Sequence, residues 1–382
     1  MKYPIGVQTF EKLRNEGYVY VDKTALVYKM AQEGSCYFLS RPRRFGKSLL
    51  LSTLKAYFEG KRELFQGLAI AELETEWNAY PVLHLDLNAG RYNSVSELEN
   101  VLDSNLKNWE RIYGCEEQGN ANLTSRFANV IRSARQKTGR GVVVLIDEYD
   151  KPLLRTITDK TLQEDLCATL KSFYGVLYTM QSHIKFAILT GISNLGQINI
   201  FGDIFDLNDI SMHKQYADVC GITEKELHTY FDQEVENLAR ANTETKEEAY
   251  AELRKCYGGY FFAPATKEIY NPCSTQRTLA QQFYHEYWLE TGTPTYLVEL
   301  LKNSDCNLST LNNIETDKYT IDGVHYSENF PISPLYHSGY LTIKDYDEEF
   351  GIYTLGFPNE EVERAYAYLQ RDKTEYRRMS ML

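Results

Sequence analysis

The sequence predicts an α/β fold: a mostly parallel sheet interleaved with helices, followed by a smaller α+β module. Two features carry that prediction. Short apolar runs alternate with stretches of helical spacing through the first half, and beyond about Met212 the alternation gives way to capped helices and hairpin-sized strands. Residues 36–40 (CYFLS), 82–87 (VLHLDL), 142–147 (VVVLID) and 185–190 (KFAILT) are apolar enough to be strands covered on both faces. Helical spacing fills the intervals at 48–58, 96–113, 125–136 and 162–181. Strand–helix–strand alternation implies parallel pairing through right-handed crossovers. A fifth, less apolar strand is expected at 206–211.

The second part starts at a helix capped by Thr223, with Glu226 at the capping-box position, and a further helix is expected at 246–256. Gly258–Gly259 opens a short aromatic strand at 260–262, turned by Pro264 toward 269–270. Thr293–Pro294 reads as another helix start, with proline at the first helical position. Residues 340–344 and 352–355, flanking DYDEEFG, predict a hairpin. Helices followed by small hairpins suggest a winged-helix-like module over 213–356, after a first domain at 1–212. The last stretch, 362–382, is helical and polar, with no apolar partner evident elsewhere in the chain.

Composition removes several classes. The 382 residues carry 41 Lys+Arg against 53 Asp+Glu, a net charge of −12, which disfavours non-specific coating of nucleic acid. No apolar run approaches the roughly 18 residues that cross a bilayer, and the N-terminus lacks the apolar core of a secretory signal. The seven cysteines are scattered and form no C-x-x-C. That argues against a disulfide framework and for a reducing, cytoplasmic setting. The seven histidines lack metal-binding spacing, and no G-x-S-x-G occurs. The acidic run at 345–349 reads as a solvated hairpin tip rather than a nuclease centre.

The sharpest chemical signal is S-R-P-R-R-F-G-K-S at 40–48, between a buried strand and a helix. A helix N-terminus after such a strand offers free N–H groups and the positive end of its dipole to an anion. Gly46 lets the backbone approach phosphates, Lys47 brings a mobile charge to the β- and γ-phosphates, and Ser48 offers a hydroxyl to Mg²⁺. Arg43, Arg44, Phe45 and Leu49 complete the expected cradle. The full pattern G-x-x-x-x-G-K-[ST] is not met, because Arg41 stands at its first glycine and Pro42 follows. A bare G-K-[ST] arises by chance in roughly one chain in five of this length.

The context gives that motif its weight. Residues 141–150, GVVVLIDEYD, form an apolar strand ending in two carboxylates. In P-loop NTPases such a strand sets its aspartate beside the magnesium, and the neighbouring glutamate can polarise the attacking water. Asp147 and Glu148 fit those roles. The strand at 185–190 is expected between the loop strand and the acidic strand, the ASCE-type order. A polar residue at its end would meet the γ-phosphate or the lytic water: Asn194 first, Ser193 second. Arg43, Arg44 and Arg155 are candidates for a transition-state arginine. No N-K-x-D base-reading signature follows the acidic strand, so ATP is favoured over GTP.

Several segments together resemble one family. YVYVDKT (18–24), FLSRPRRFGKSLLLSTL (38–54), LIDEYDKPL (145–153), LTGIS (189–193), NPCS (271–274), TGTPTYLVELL (291–301) and SGYLTIKDYD (338–347) are similar to the bacterial AAA-ATPase-like proteins. The resemblance runs to about Glu363, and the arginine in the loop belongs to its habit. It implies a P-loop ATPase core followed by a small winged-helix-like module, with Lys47, Ser48, Asp147 and Glu148 in the corresponding roles. Members commonly continue into a PD-(D/E)XK nuclease-superfamily domain. On that basis 357–382 is expected to be a linker helix, the remnant of such a domain, which is expected to be missing from this chain.

Two functional expectations stay open. One is a Mg²⁺-dependent ATPase that couples nucleotide state to movement of the C-terminal module. The other is a non-hydrolysing, nucleotide-bound switch or scaffold that recruits a protein partner, another copy of itself, or DNA through the second module and the terminal arginines.

Overall fold

The computed structural model describes residues 1–34, 36–115, 121–157, 159–192, 207–290, 297–298, 300–301, 304, 306, 310–323 and 330–380, with 372–380 as backbone only. Helices α1 (Phe10–Asn15) and α2 (Thr24–Glu33) precede β1 (Cys36–Ser40). The chain continues through α3 (Lys47–Phe58), α4 (Ile70–Leu73), β2 (Val82–Asp86), α5 (Val95–Tyr113) and α6 (Leu123–Thr138). It then forms β3 (Val142–Asp147), α7 (Lys151–Arg155), α8 (Lys160–Thr179), β4 (Ile184–Gly191) and β5 (Asn208–Asp209).

These strands form one sheet in the order β2-β3-β4-β1-β5, and all its pairings are parallel. β4 therefore lies between the loop strand and the acidic strand, as the sequence predicts. β3 is buried along its whole length, which is why it reads as an unbroken apolar run. β2 is different. It sits at the sheet edge and alternates between partly and fully buried residues, so it is not covered on both faces as expected. The fifth strand is shorter than the expected 206–211, because only Asn208 and Asp209 reach the ladder of β1, opposite Tyr37 and Phe38. Residue 206 lies outside the described residues.

Helices cover both faces. On one, Leu98 and Leu102 of α5, Phe127 of α6 and Phe173 of α8 pack on Val144 and Ile146. The Phe127 and Phe173 rings stack with centroids 4.4 Å apart. On the other, Leu51, Leu54 and Phe58 of α3 meet Val143, Leu145 and Phe186. Each such side chain contributes about 1.5–3 kcal/mol by leaving water, so the sheet and the helix behind the loop are held as one body.

The second part holds β6 (Ile222–Thr223), α9 (Glu224–Asn242), α10 (Lys246–Tyr257), β7 (Ile269–Tyr270) and α11 (Pro272–Gln281), then β8 (Ile314–Thr316), β9 (Thr342–Asp347) and β10 (Ile352–Gly356). Thr223 and Glu226 close the expected capping box. β9 and β10 form the expected antiparallel hairpin, and β8, which the sequence did not reveal, adds to it in the order β8-β10-β9. The aromatic strand expected at 260–262 is reduced to one bridge between Tyr260 and Ile269. Tyr260 and Phe262 instead turn inward onto Phe45. Thr293 and Pro294 fall outside the described residues.

The last helix, Glu360–Ser380, does have an apolar partner, against expectation. Val362, Ala365 and Tyr366 are buried, Tyr366 packs edge-on against Tyr340, and the Gln370 amide donates to the Cys306 carbonyl at 2.8 Å. Its apolar stripe is short and diluted by charge, which hid it in the sequence. One apolar cluster joins Leu39 and Leu51 of the first part to Tyr260, Tyr340 and Val362 of the second. No helix among the described residues is long and apolar enough to cross a membrane.

Candidate functional site

The loop between β1 and α3 stands at the carboxyl end of the central strands. Arg44 (φ 69°) and Gly46 (φ 103°) take left-handed backbone, and Gly46 caps α3. A methyl group placed on Gly46 would meet no atom within 4 Å, so the glycine faces open space where an anion can approach the helix N-terminus.

Arg41 shows why the loop tolerates arginine where glycine is usual. Its side chain is turned away from the cleft and buried. Nη1 donates to the carbonyls of Ser40 (2.8 Å) and Ser211 (2.6 Å), and Nη2 to that of Tyr216 (3.1 Å). The Phe262 ring lies 4.2 Å from the guanidinium carbon.

Lys47 is buried and bent back over the loop. Nζ donates to the carbonyls of Arg41 (3.0 Å) and Pro42 (3.4 Å) and lies 3.5 Å from Glu148 Oε1. Asp147, at the end of β3, accepts from Thr190 Oγ1 at 2.7 Å and from the Glu148 N–H at 3.0 Å, with the Ser48 hydroxyl close enough to favour its charged form. Burial raises the pKa of the Asp147 carboxyl, against the pull of the Ser48 and Thr190 hydroxyls. Glu148 follows with φ 52°, an uncommon conformation for a non-glycine residue. Burial raises its pKa, yet Lys47, Lys151 and Arg43 together outweigh that and hold it below the usual value.

A cavity of about 300 Å³ brings together Arg43, Arg44, Gly46, Lys47, Ser48, Leu49 and Glu148 from the expected set. It is closed by the N-terminal segment around Pro4–Gln8 and by Pro272, Cys273 and Gln276 at the start of α11. A mainly apolar pocket adjoins it, lined by Val19, Leu49, Cys220, Ile222 and Pro272 among others. Phe45 does not face the phosphate side. Its ring is in the core against Tyr260 and Phe262. Arg155 is exposed and does not line the cavity. Asn194 and Ser193 lie outside the described residues. Sequence reasoning missed Thr190, whose signal was a polar residue ending an apolar strand. It also missed Lys151, which lines the cavity from the first turn of α7.

A family model described as "Predicted AAA-ATPase" matches residues 4–201, more than half of the chain. The chain belongs to the AAA-ATPase-like family. It is thus a nucleotide-binding protein of ATPase type, and the loop and acidic strand described above both fall inside the matched region. An uncharacterized protein in the vnfD 5′ region of Azotobacter chroococcum mcd 1 is 34% identical over 368 residues, covering 94% of this chain and 68% of its own length. The structure of the Aeropyrum pernix ORC2 protein in ADPNP–ADP complexes covers 95% of this AAA-ATPase-like chain and 97% of its own, at 12% identity and a TM-score of 0.34. A likeness that slight carries no argument about this chain.

Proposed function

We propose that the protein binds ATP with Mg²⁺ and hydrolyses it, and that nucleotide state moves the C-terminal part. The observation that carries this reading is the single cavity lined by Gly46, Lys47 and Ser48 of the loop and by Glu148, which faces the candidate base to the anion site. The triphosphate would lie on the amides at the start of α3 with Lys47 turned toward it, and the adjoining apolar pocket would take the base.

The donor set suits Mg²⁺, which is bound through a hydroxyl or carboxylate plus phosphates rather than in an all-protein cage. Ser48 would hold the ion directly, and Asp147, whose carboxylate the Ser48 hydroxyl favours, would support it. When bound, the ion neutralises charge on the phosphate oxygens. Glu148, ionised at neutral pH, takes the proton of the attacking water. Thr190 keeps Asp147 turned toward Ser48.

One observation favours the non-hydrolysing alternative. Glu148 is already partnered by Lys47, and a carboxylate held by a lysine is a weaker base. Phosphate release and calorimetric binding of ATP decide between the two. Hydrolysis predicts turnover that Glu148→Gln abolishes while ATP binding survives, and binding that Lys47→Ala removes. Tight ATP binding with no phosphate release selects the switch. Equal turnover in Lys47→Ala removes the reading altogether.

A further inference from the structure

We propose that Lys151 supplies, from within the same chain, a cationic contact to the terminal phosphate of the bound nucleoside triphosphate. This rests on the function proposed above and adds a residue that the loop and acidic-strand motifs do not include.

Lys151 is 8% exposed, yet its ammonium makes no hydrogen bond and no ion pair among the described residues. Its aliphatic stem is covered, while the ammonium is not sealed in and is left to the cavity without a protein partner. What it lines is the cavity that holds Lys47, Ser48 and Glu148. Its position follows from the backbone. The Glu148 carbonyl accepts from the Lys151 N–H at 2.9 Å, a tight turn that folds α7 back beside the carboxylate. Pro152, at the next position, fits the first turn of a helix.

The neighbouring charges point the same way. Burial lowers the pKa of Lys151, the Arg43 guanidinium lowers it further, and Glu148 acts in the opposite direction. Arg43, Arg44, Lys47 and Lys151 thus line one cavity whose one lining carboxylate, among the described residues, is Glu148. A γ-phosphate entering there restores the charge balance. ADP, which lacks that group, does not. During hydrolysis the water oxygen bonds to the γ-phosphorus as the bond from phosphorus to the β–γ bridging oxygen breaks. The electron pair of that bond leaves with the β-phosphate, and the water proton passes to Glu148. Lys151 meets the charge on the γ-phosphoryl oxygens, the role that a partner's arginine plays in other ATPases.

The test is titration of the full chain with ATP and with ADP, each with Mg²⁺, in wild type, Lys151→Met and Lys151→Arg. Methionine keeps the buried stem and removes the charge. Its ATP affinity should fall by about tenfold or more with ADP affinity held within about twofold, and phosphate release should fall by about a hundredfold. Arginine should restore most of the ATP-to-ADP ratio. Should the methionine variant fail to fold, Lys151→Gln gives the same comparison. An unchanged ratio in a variant that still binds both nucleotides overturns this proposal and leaves the proposed function standing. A wild type that binds neither nucleotide overturns both.

Discussion

The Arg41 guanidinium donates to the Ser211 carbonyl at 2.6 Å, tying the end of the loop strand to the chain that leaves β5. With the bonds to Ser40 and Tyr216 and the Phe262 ring, it replaces the flexibility of the usual glycine by a buried rivet. Its charge is solvated by carbonyl dipoles rather than by an adjacent carboxylate. Burial lowers its pKa, with Cys220, Tyr336, Asp209 and Asp218 opposing that through space.

Restoring the motif should therefore harm the protein. Arg41→Gly strips donors from buried carbonyls and leaves a void, a loss of about 3 kcal/mol or more in urea denaturation. Arg41→Lys should recover less than half, because a single ammonium cannot span the same acceptors. ATP affinity of the folded fraction should stay within about threefold of wild type, as the side chain faces away from the cavity. A glycine variant as stable as wild type would show that the rivet contributes nothing.

How much of this was legible beforehand follows from what each residue depends on. β1 and β3 were plain because strands buried on both faces leave continuous apolar runs, and Thr223 with Glu226 is a local capping signal. Gly46, Lys47, Ser48, Asp147 and Glu148 were legible because strand-to-loop chemistry is local too. The place of Phe45 was not, since its ring is claimed by Tyr260 and Phe262, more than two hundred residues away. Lys151 looked like any lysine in a helix. Only the turn after Glu148 buries it. The short β8 and the diluted stripe of the last helix carried too few residues to show a period.

Glu361 gives a pH signature. Its carboxylate accepts from Ser274 Oγ (3.0 Å), the Tyr287 N–H (2.7 Å) and the Trp288 N–H (3.1 Å). Burial dominates those bonds, and its pKa rises from the ordinary 4.5 to about 7, with Glu286 adding in the same direction. The folded state thus holds a proton that the unfolded chain releases, so this group makes stability fall as pH rises from 4.5 to 7. The effect is at most about 3 kcal/mol. His337 opposes it, since burial lowers its pKa from 6.5 to about 4, and its contribution falls as pH falls through that range. The measurement is accordingly a difference: wild-type minus Glu361→Gln stability at pH 5 and pH 8. That difference should shrink toward pH 8, and one independent of pH refutes the assignment.

His337 also joins the two parts of the chain at the loop strand. Its Nδ1 lies 3.2 Å from Ser40 Oγ, and its Nε2 lies 3.0 Å from the Ile321 carbonyl. A neutral imidazole donates from Nε2 to that carbonyl and leaves Nδ1 as an acceptor. The single Ser40 hydroxyl hydrogen is then shared between Nδ1 and the Ile192 carbonyl at 2.6 Å, at the end of β4. A small shift of β4 relative to β1 would move that hydrogen from one acceptor to the other, and the helix Ile332–His337 would feel it. If nucleotide state moves the C-terminal part by this route, a non-hydrolysable ATP analogue with Mg²⁺ should change amide hydrogen exchange across 332–340 in wild type, and Ser40→Ala should reduce the change. Exchange there that ignores nucleotide in both proteins would leave the Ser40–His337 contact as packing alone.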